Sequence, residues 1–198
     1  MKLSRVMHRL IGRHLGWGNP VPSDVWDEQY KSGVWDYLGS DSEESHYEQI
    51  AVAWAEYPGA GSVLDVGCGH GELVPHLRNL GCQTYYGIDI SESAISIARS
   101  RFPELGFESM DVEKFIPVGK YDCIIFNESL YYCRRPLHIL KRIERAISPR
   151  GCLIISMCDY AGHDAIWNAI SANYTLASGI DVENERGQTW RIRSYRLG

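Results

Sequence analysis

Three glycines and two acids are the residues of this chain whose types and spacing are best suited to chemistry. The glycines alternate along the chain: Gly67, Gly69 and Gly71. They follow a β-branched apolar run that contains Asp65, and Asp89 ends the next apolar run. Glycines at alternate positions let a chain turn sharply and bring bare backbone close to a ligand. A carboxylate at the end of the second run can accept both hydroxyls of a ribose, so the spacing predicts a nucleotide-type cofactor site.

The spacing also distinguishes between cofactor classes. A dinucleotide fingerprint would place its third glycine at position 72, which is Glu72 here. The pattern G-x-G-x-G, with Asp65 two residues upstream, resembles the class I S-adenosylmethionine-dependent methyltransferases. The resemblance implies S-adenosyl-L-methionine as the cofactor, S-adenosyl-L-homocysteine as the product and a methyl-transferring enzyme.

The same resemblance implies a role for each residue around the cofactor. The glycine loop would pass under the aminoacyl tail, and Asp65 would lie near the methionine amino group. Asp89 would accept the ribose hydroxyls, and Ile90 after it would press on one face of the adenine. Tyr30, from the segment before the first strand, would reach the cofactor carboxylate.

The resemblance also implies adenine contacts for the two residues that follow the third predicted strand, Met110 and Asp111. Asp111 would accept from the adenine N6 amino group, and Met110 would donate its backbone N–H to the ring. Asp111 has an alternative role as a helix N-cap, because Asp is favoured at that position and a turn could begin at Val112.

Residues 127–132 are the most distinctive segment after the glycine loop. Asn127 ends the fourth predicted strand, where the resemblance places the methionine moiety. The residues from Glu128 to Tyr132 are similar to the Glu-x-Leu-Tyr-Tyr segment of nodulation-factor N-methyltransferases and of many natural-product methyltransferases. The resemblance covers roughly residues 24–157.

Two side chains are candidate catalytic groups. Glu128 lies just past a strand end beside the expected methyl donor, where a carboxylate could orient the acceptor and take its proton. Its alternative role is structural, as a cap of the following turn. His163, after the fifth predicted strand, is a rival base or a solvated loop histidine.

The chain alternates strands and helices from residue 62 onward. Strands are predicted over Ser62–Val66, Thr84–Asp89, Gly106–Ser109, Tyr121–Asn127 and Cys152–Met157, and helices over Leu73–Leu80, Ala94–Arg101, Leu137–Ser148 and 164–174. Repeated βα units predict an α/β protein: a Rossmann-like, doubly wound, mostly parallel sheet. Two more strand-like runs, 178–183 and 188–196, flank a turn sequence and predict a C-terminal antiparallel hairpin that brings the sheet to seven strands.

The N-terminal segment is expected to cover the site. Residues 24–38 are dense in aromatics, which predicts a helical lid; ordinary packing on the sheet would equally explain Trp26 and Trp35. Residues 1–15 have the spacing of an amphipathic helix with a basic face. That face could contact a membrane surface or a substrate phosphate, or it could be solvated. We therefore expect one domain over 1–198, with a helical cap at 1–57 and a Rossmann-like core at 58–198.

Composition argues against several classes of function. The chain has 198 residues, 44% of them hydrophobic, and a net charge of −5, which argues against a dedicated nucleic-acid binder. Its six cysteines form no C-x-x-C pair, which favours free thiols in a reducing cytoplasm. No apolar run is long enough for a membrane span, and no ligand spacing predicts a metal site.

The leading hypothesis is methyl transfer to an O or N atom of a small-molecule metabolite or biosynthetic intermediate. An RNA or protein methyltransferase is a second hypothesis, favoured by the basic residues 2–13. A non-catalytic S-adenosylmethionine-binding regulatory subunit is the third. The oligomeric state is left open by the sequence.

Overall fold

The computed structural model describes residues 16–57, 61–160 and 162–196. Seven strands run from β1 to β7: Ser62–Val66, Thr84–Asp89, Gly106–Ser109, Tyr121–Asn127, Ile147–Cys158, Leu176–Glu183 and Thr189–Arg196. The described helices run from α1 to α6: Ser23–Lys31, Asp41–Ala55, Leu73–Asn79, Glu92–Arg101, Pro136–Ile143 and His163–Ser171. The amphipathic helix predicted over residues 1–15 lies outside the described residues.

The strands form one sheet in the order β3-β2-β1-β4-β5-β7-β6. The first five strands in this order are parallel, and β7 runs antiparallel to both of its neighbours. The predicted mostly parallel seven-stranded sheet with a C-terminal hairpin is thus confirmed. Chain order reverses between β1 and β4, and the crevice outside such a reversal is where open α/β sheets bind ligands.

Alternate residues of the strands enter two separate cores. Val63 and Ile154 pack beneath α2, α3 and α4, whereas Leu64 and Leu153 pack beneath α5 and α6 on the opposite face. All four side chains are essentially inaccessible to solvent. Burial on both faces explains why the central strands read as continuous apolar runs rather than as alternating ones.

Helix α2 belongs to the packed layer on the sheet. Its residues Ile50 and Trp54 are buried in the same core as Val63, and His46 stacks on Trp190 of β7 with ring centroids 4.5 Å apart. The segment 1–57 was expected as a cap, but within it α2 packs as a core helix. Within the segment 1–57, the described residues that line the cleft all precede α2.

The connection into β5 differs from the prediction of a helix through Ser148. The helix α5 ends at Ile143, a 3₁₀ turn follows over Glu144–Ala146, and β5 already begins at Ile147. Residues before proline disfavour the helical region, and Pro149 follows Ser148. Within the described residues, no helix is both long enough and apolar enough to cross a membrane.

The central strand β5 yields a stability prediction. Replacing Ile154 by Ala removes a fully buried side chain from the core between β5 and α2. We expect the free energy of unfolding to fall by about 2–5 kcal/mol, measured by urea denaturation. Val118→Ala is the control, because Val118 is 89% exposed, and its effect should stay within about 0.5 kcal/mol. A comparable loss in both variants would contradict the assigned core.

Candidate cofactor and catalytic site

A cleft of about 850 Å³ opens at the carboxyl ends of β1, β2 and β4, at the reversal of strand order. The described residues that line it are Asn19, Pro20, Val21, Pro22, Ser23, Trp26, Tyr30, Val66, Gly67, Ile88, Asp89, Ile90, Met110, Asp111, Val112, Glu113, Glu128, Ser129, Tyr132, Cys133 and Arg134. Seven of the site residues that the sequence predicts are in this lining. The other five are not: Asp65, Gly69, Gly71, Asn127 and His163.

The glycine loop follows β1 in a conformation that suits glycine. All three of its glycines have positive φ, at 78° for Gly67, 53° for Gly69 and 81° for Gly71. A Cβ at Gly67 would stand 2.3 Å from the Cβ of Ser129. The loop therefore needs glycine at position 67 for its φ and for its contact with the segment after β4.

Asp89 is buried at the end of β2 and is held by two backbone amides. The N–H of Gly69 donates to its Oδ2 at 3.0 Å, and the N–H of Ser91 donates to its Oδ1 at 2.9 Å. Burial raises the pKa of Asp89, and the bonds from the two amides oppose that rise. Each carboxylate oxygen keeps acceptor capacity for a ligand in the cleft.

Asp65 is buried behind the cleft. Tyr85 donates its hydroxyl to Oδ2 at 2.7 Å, while the buried Oδ1 has no hydrogen-bond partner among the described residues. Burial raises the pKa of Asp65 to about 7. A buried acceptor without a donor is costly, so this oxygen would be stabilised by a donor such as an ammonium group or a water.

The segment after β3 lies along one side of the cleft. The prediction that the Met110 N–H donates to the adenine is wrong in this structure, because that N–H donates to the Asp89 carbonyl at 2.7 Å. Met110 still lines the cleft, but its N–H is not available to a ligand there. Asp111 caps the following turn, since its Oδ1 accepts from the Glu113 N–H at 2.9 Å. Asp111 also lines the cleft, and its Oδ2 lies 3.6 Å from the exposed ammonium group of Lys114. A ligand at Oδ2 would share that oxygen with a solvated lysine.

Glu128 follows β4 in a strained backbone conformation. Its φ of 53° is in the left-handed region, and its N–H donates to Ser156 of β5 at 3.0 Å. Two hydroxyls orient its carboxyl group: Tyr131 donates to Oε2 at 3.0 Å and Ser156 to Oε1 at 3.4 Å. Burial raises the pKa of Glu128 to about 7. The side chain is half-buried and is part of the cleft wall.

The other predicted residues near β4 are set back from the cleft. Asn127 has a buried Oδ1 without a described hydrogen-bond partner. His163 Nδ1 lies 2.6 Å from the Cys158 carbonyl oxygen, and its ring stacks on Tyr131 at 4.3 Å. Burial lowers the pKa of His163. The structure therefore places His163 behind the tyrosine that bonds Glu128.

Aromatic residues of α1 cover the cleft. Trp26 meets the edge of Tyr132 with ring centroids 4.8 Å apart, and Tyr30 packs edge-on against His70 at 4.7 Å. The Tyr30 hydroxyl lies close over Gly69, where a Cβ would approach it to 2.9 Å. The structure brings the aromatic segment and the glycine loop together, as the lid hypothesis requires.

Sequence reasoning did not single out Asp27, Ser91 or Ser129. Ser91 bonds Asp89 and Ser129 lies against Gly67, while Asp27 bonds Ser91. Ser91 had a usable signal, because a serine just before a helix is a favoured N-cap, and its Oγ accepts from the Ala94 N–H at 3.1 Å. The contacts of Asp27 and Ser129 are long-range and have no local signal. Among the described residues, no three His, Cys, Asp or Glu side chains are grouped so that they could hold a metal ion.

Comparison with known proteins decides the family. The sequence profile of the methyltransferase domain matches residues 41–197, which is most of the chain. The chain belongs to the methyltransferase domain family. The match begins at the first residue of α2, consistent with the packing of α2 as a core helix.

Curated relatives of this methyltransferase domain are similar over part of their length. A trans-aconitate 2-methyltransferase of Acidovorax sp. (strain JS42) is 29% identical over 129 residues, covering 63% of this chain and 50% of that protein. A ubiquinone biosynthesis O-methyltransferase of Thiobacillus denitrificans is 30% identical over 120 residues, covering 58% and 51%. The chain spans about half the length of these relatives.

Solved structures share the fold of this methyltransferase domain. The N-methyltransferase NodS from Bradyrhizobium japonicum WM9, in complex with S-adenosyl-L-homocysteine, superposes with a TM-score of 0.69 at 17% identity, over 86% of this chain and 97% of that one. The [4+2]-cyclase SpnF superposes with a TM-score of 0.70 at 16% identity, over 90% and 98%. At such identities the likeness concerns the fold alone.

The contact between the glycine loop and Ser129 can be tested with a matched pair of variants. Gly67→Ala adds a Cβ at positive φ and against Ser129, whereas Gly119→Ala adds one at a φ of 91° with nothing within 4 Å. We expect Gly119→Ala to lower the free energy of unfolding by about 1–2 kcal/mol. Gly67→Ala should cost about 1–3 kcal/mol more, because the overpacked loop must shift. Equal losses in chemical denaturation would refute the close contact.

Proposed function

We propose that this chain is an S-adenosylmethionine-dependent methyltransferase that acts on an O or N atom of a small-molecule metabolite or biosynthetic intermediate. The observation that carries the proposal is the fixed carboxylate of Asp89. It stands at the end of β2 beside the glycine loop, is held by two amides and is part of the cleft wall. That arrangement suits the two hydroxyls of a ribose.

The residues present fit this cofactor on three observations. Gly67 and Gly69 present backbone without Cβ atoms, which allows close approach by an aminoacyl tail. Apolar side chains of Ile88 and Ile90 form a wall beside Asp89, as a purine ring requires. Two buried oxygens, Oδ1 of Asp65 and Oδ1 of Asn127, have no hydrogen-bond donor among the described residues, as expected of a site for an amino group.

Each predicted residue has a place in this proposal. Asp89 would bind the ribose, Ile90 and Met110 would flank the adenine, and Asp111 would accept from its amino group. Residues of the loop and of the strands behind it would surround the methionine moiety, with Tyr30 above: Asp65, Gly67, Gly69, Gly71 and Asn127. When bound, S-adenosylmethionine supplies a methyl group that is already electrophilic.

The task left to the chain is to hold the acceptor and to manage its proton. Glu128 is the proposed base, since its carboxyl group forms part of the cleft wall and is oriented by Tyr131 and Ser156. A pKa of about 7 suits a base that works near neutral pH, because its deprotonated form is well populated there and can take a proton at Oε1 or Oε2. His163 would act through Tyr131 rather than on the acceptor, as a group that positions the ring.

A small acceptor is favoured by the walls of the cleft and by the relatives. Trp26 and Tyr132 pack edge to face in the lining of the same cleft and suit a planar, sugar-like or cationic acceptor. The relatives' names concern trans-aconitate and ubiquinone biosynthesis, which are small-molecule methylations. The basic residues that would favour a nucleic-acid substrate lie outside the described part of the chain.

Cofactor binding should depend on the charge of Asp89. Asp89→Ala leaves two ribose hydroxyls without an acceptor, so the affinity for S-adenosyl-L-homocysteine should fall about 100-fold, at roughly tenfold for each bond to a charged group. Isothermal titration calorimetry measures this change. Asp181→Asn on β6 is the control, because Asp181 is exposed and pairs with Arg193. Wild-type protein that fails to bind, or Asp89→Ala that binds as wild type does, would refute the proposal.

Turnover should depend on Glu128. Glu128→Gln keeps the shape and removes the base, so turnover should fall by about 10²–10⁴-fold with little change in cofactor affinity. Wild-type turnover should rise with pH through about 7 and then level off, because the base must lose its proton. Initial-rate measurements across pH check both expectations once an acceptor is found.

The stability of the same variant separates a base from a structural cap. A folded-state pKa above the unfolded value makes the charged form of Glu128 destabilising, and this penalty appears as pH rises from about 4.5 to about 7. Glu128→Gln should therefore be more stable than wild type at pH 8 and not at pH 4. Glu185→Gln, in an exposed turn, should change neither stability nor turnover. Reduced stability at pH 8 with unchanged turnover would assign Glu128 to turn capping.

A further inference from the structure

One carboxylate reaches from α1 to the cofactor side of the cleft. Asp27 Oδ1 accepts from the Ser91 hydroxyl at 2.7 Å and from the Ser93 N–H at 3.1 Å. Both partners are at the start of α4, which follows directly after Asp89 and Ile90. Among the hydrogen bonds described for α1 side chains, those of Asp27 are the ones that leave the local segment.

Ser91 connects this contact to the proposed ribose acid. Its hydroxyl donates to Asp27, its N–H donates to Asp89 Oδ1 at 2.9 Å, and its side chain is fully buried. A continuous chain of hydrogen bonds thus runs from α1 through Ser91 to the floor of the cleft. A shift of α1 would disturb Ser91, and through it the orientation of Asp89.

The same helix carries two walls of the cleft. Trp26 is the neighbour of Asp27 in sequence, and Tyr30 lies one helical turn further along. Both line the cleft, with Trp26 against Tyr132 and Tyr30 against His70. Because α1 is short, fixing Asp27 fixes the position of both aromatic rings.

The chemistry of the contact favours a lasting attachment. A carboxylate at the start of a helix meets unpaired N–H groups and the positive end of the helix dipole. The bond from Ser91 is the main cause of a lowered pKa of Asp27, so the side chain stays charged at neutral pH. Bonds to a charged acceptor are stronger than neutral ones.

We propose that Asp27 is a positioning residue that latches α1 over the cofactor cleft and, through Ser91, holds the carboxylate of Asp89 in place. This inference rests on the proposed function. Release of the cofactor product requires α1 to move, and α1 moves only when the bonds from Ser91 and Ser93 to Asp27 break. The latch therefore governs how long the cofactor is retained, and the chemical step is left to the groups at the end of β4.

The test compares three variants of the full chain. Asp27→Ala removes the acceptor, and Asp27→Asn keeps an oxygen without the charge. Asp24→Ala removes an exposed acid of the same helix whose hydrogen bond, within the described residues, comes from its neighbour's N–H. The dissociation rate of S-adenosyl-L-homocysteine is measured by stopped-flow tryptophan fluorescence. The affinity is measured by calorimetry, and the opening of α1 and α4 by amide hydrogen exchange.

A latch predicts a graded result. Asp27→Ala should release S-adenosyl-L-homocysteine about tenfold faster with a nearly unchanged association rate, Asp27→Asn should be intermediate, and Asp24→Ala should match wild type. Amide exchange should increase across α1 and stay slow in α4, because Ser91 still caps α4 through its bond from Ala94. The melting temperature of the protein without ligand should change little.

Other outcomes overturn the proposal in distinguishable ways. Release within twofold of wild type in Asp27→Ala would refute the latch, and so would faster exchange confined to α4, which would make Asp27 a distant cap of that helix. If Asp27→Ala fails to fold, Asp27→Asn must still release the ligand faster than Asp24→Ala. Wild-type protein that binds no S-adenosyl-L-homocysteine would instead refute the proposed function.

Discussion

The arrangement of the site depends on one buried carboxylate. Asp89 cannot be ionised and buried without donors, and the chain supplies them from two directions, the Gly69 amide and the Ser91 amide. These bonds tie the loop after β1 to the end of β2 and to the start of α4. The Ser91 hydroxyl also donates to Asp27 on α1. The residue that satisfies Asp89 therefore also holds the helix that covers the cleft.

Local sequence patterns predicted the strands and the glycine loop. A strand buried on both faces needs a continuous apolar run, and a loop with positive φ needs glycine, so both features can be recognised from residue types alone. The bounds of β1 through β4 agree with the prediction. The start of β5 does not, because the strand begins at Ile147. Pro149 disfavours a helical conformation at Ser148, which is incompatible with the predicted helix through that residue. The use of the Met110 amide by Asp89 and the contact of Asp27 with Ser91 depend on pairing between distant segments, which periodicity does not encode.

Backbone strain and desolvation coincide at Glu128, where the chain borders the cleft. Glu128 adopts a positive φ that costs a non-glycine residue about 1–2 kcal/mol, and its carboxyl group is buried enough to raise its pKa to about 7. The bonds to Ser156 and Tyr131 hold it there, and Ser156 is part of the central strand β5. A rigid sheet can impose such a conformation at its edge, and a side chain held this way is already oriented for a ligand.

A shared fold does not decide which acceptor is used, so specificity must be read from the residues around the cleft. Most groups proposed for the cofactor sit at the ends of β1 and β2, in the loops that follow them and after β3. Asn127 on β4 and Tyr30 on α1 complete the set. The groups proposed to face the acceptor sit on α1 and on the segment from Glu128 to Arg134, both of which line the cleft. Trp26 of α1 contacts Tyr132 in the second segment. The chain before α1 also contacts that segment, because the Asn19 N–H donates to the Tyr131 carbonyl at 2.7 Å. Acceptor choice can therefore change by substitution at Trp26 and in the segment after β4, whereas Asp27 and Tyr30 of α1 belong to the proposed cofactor site.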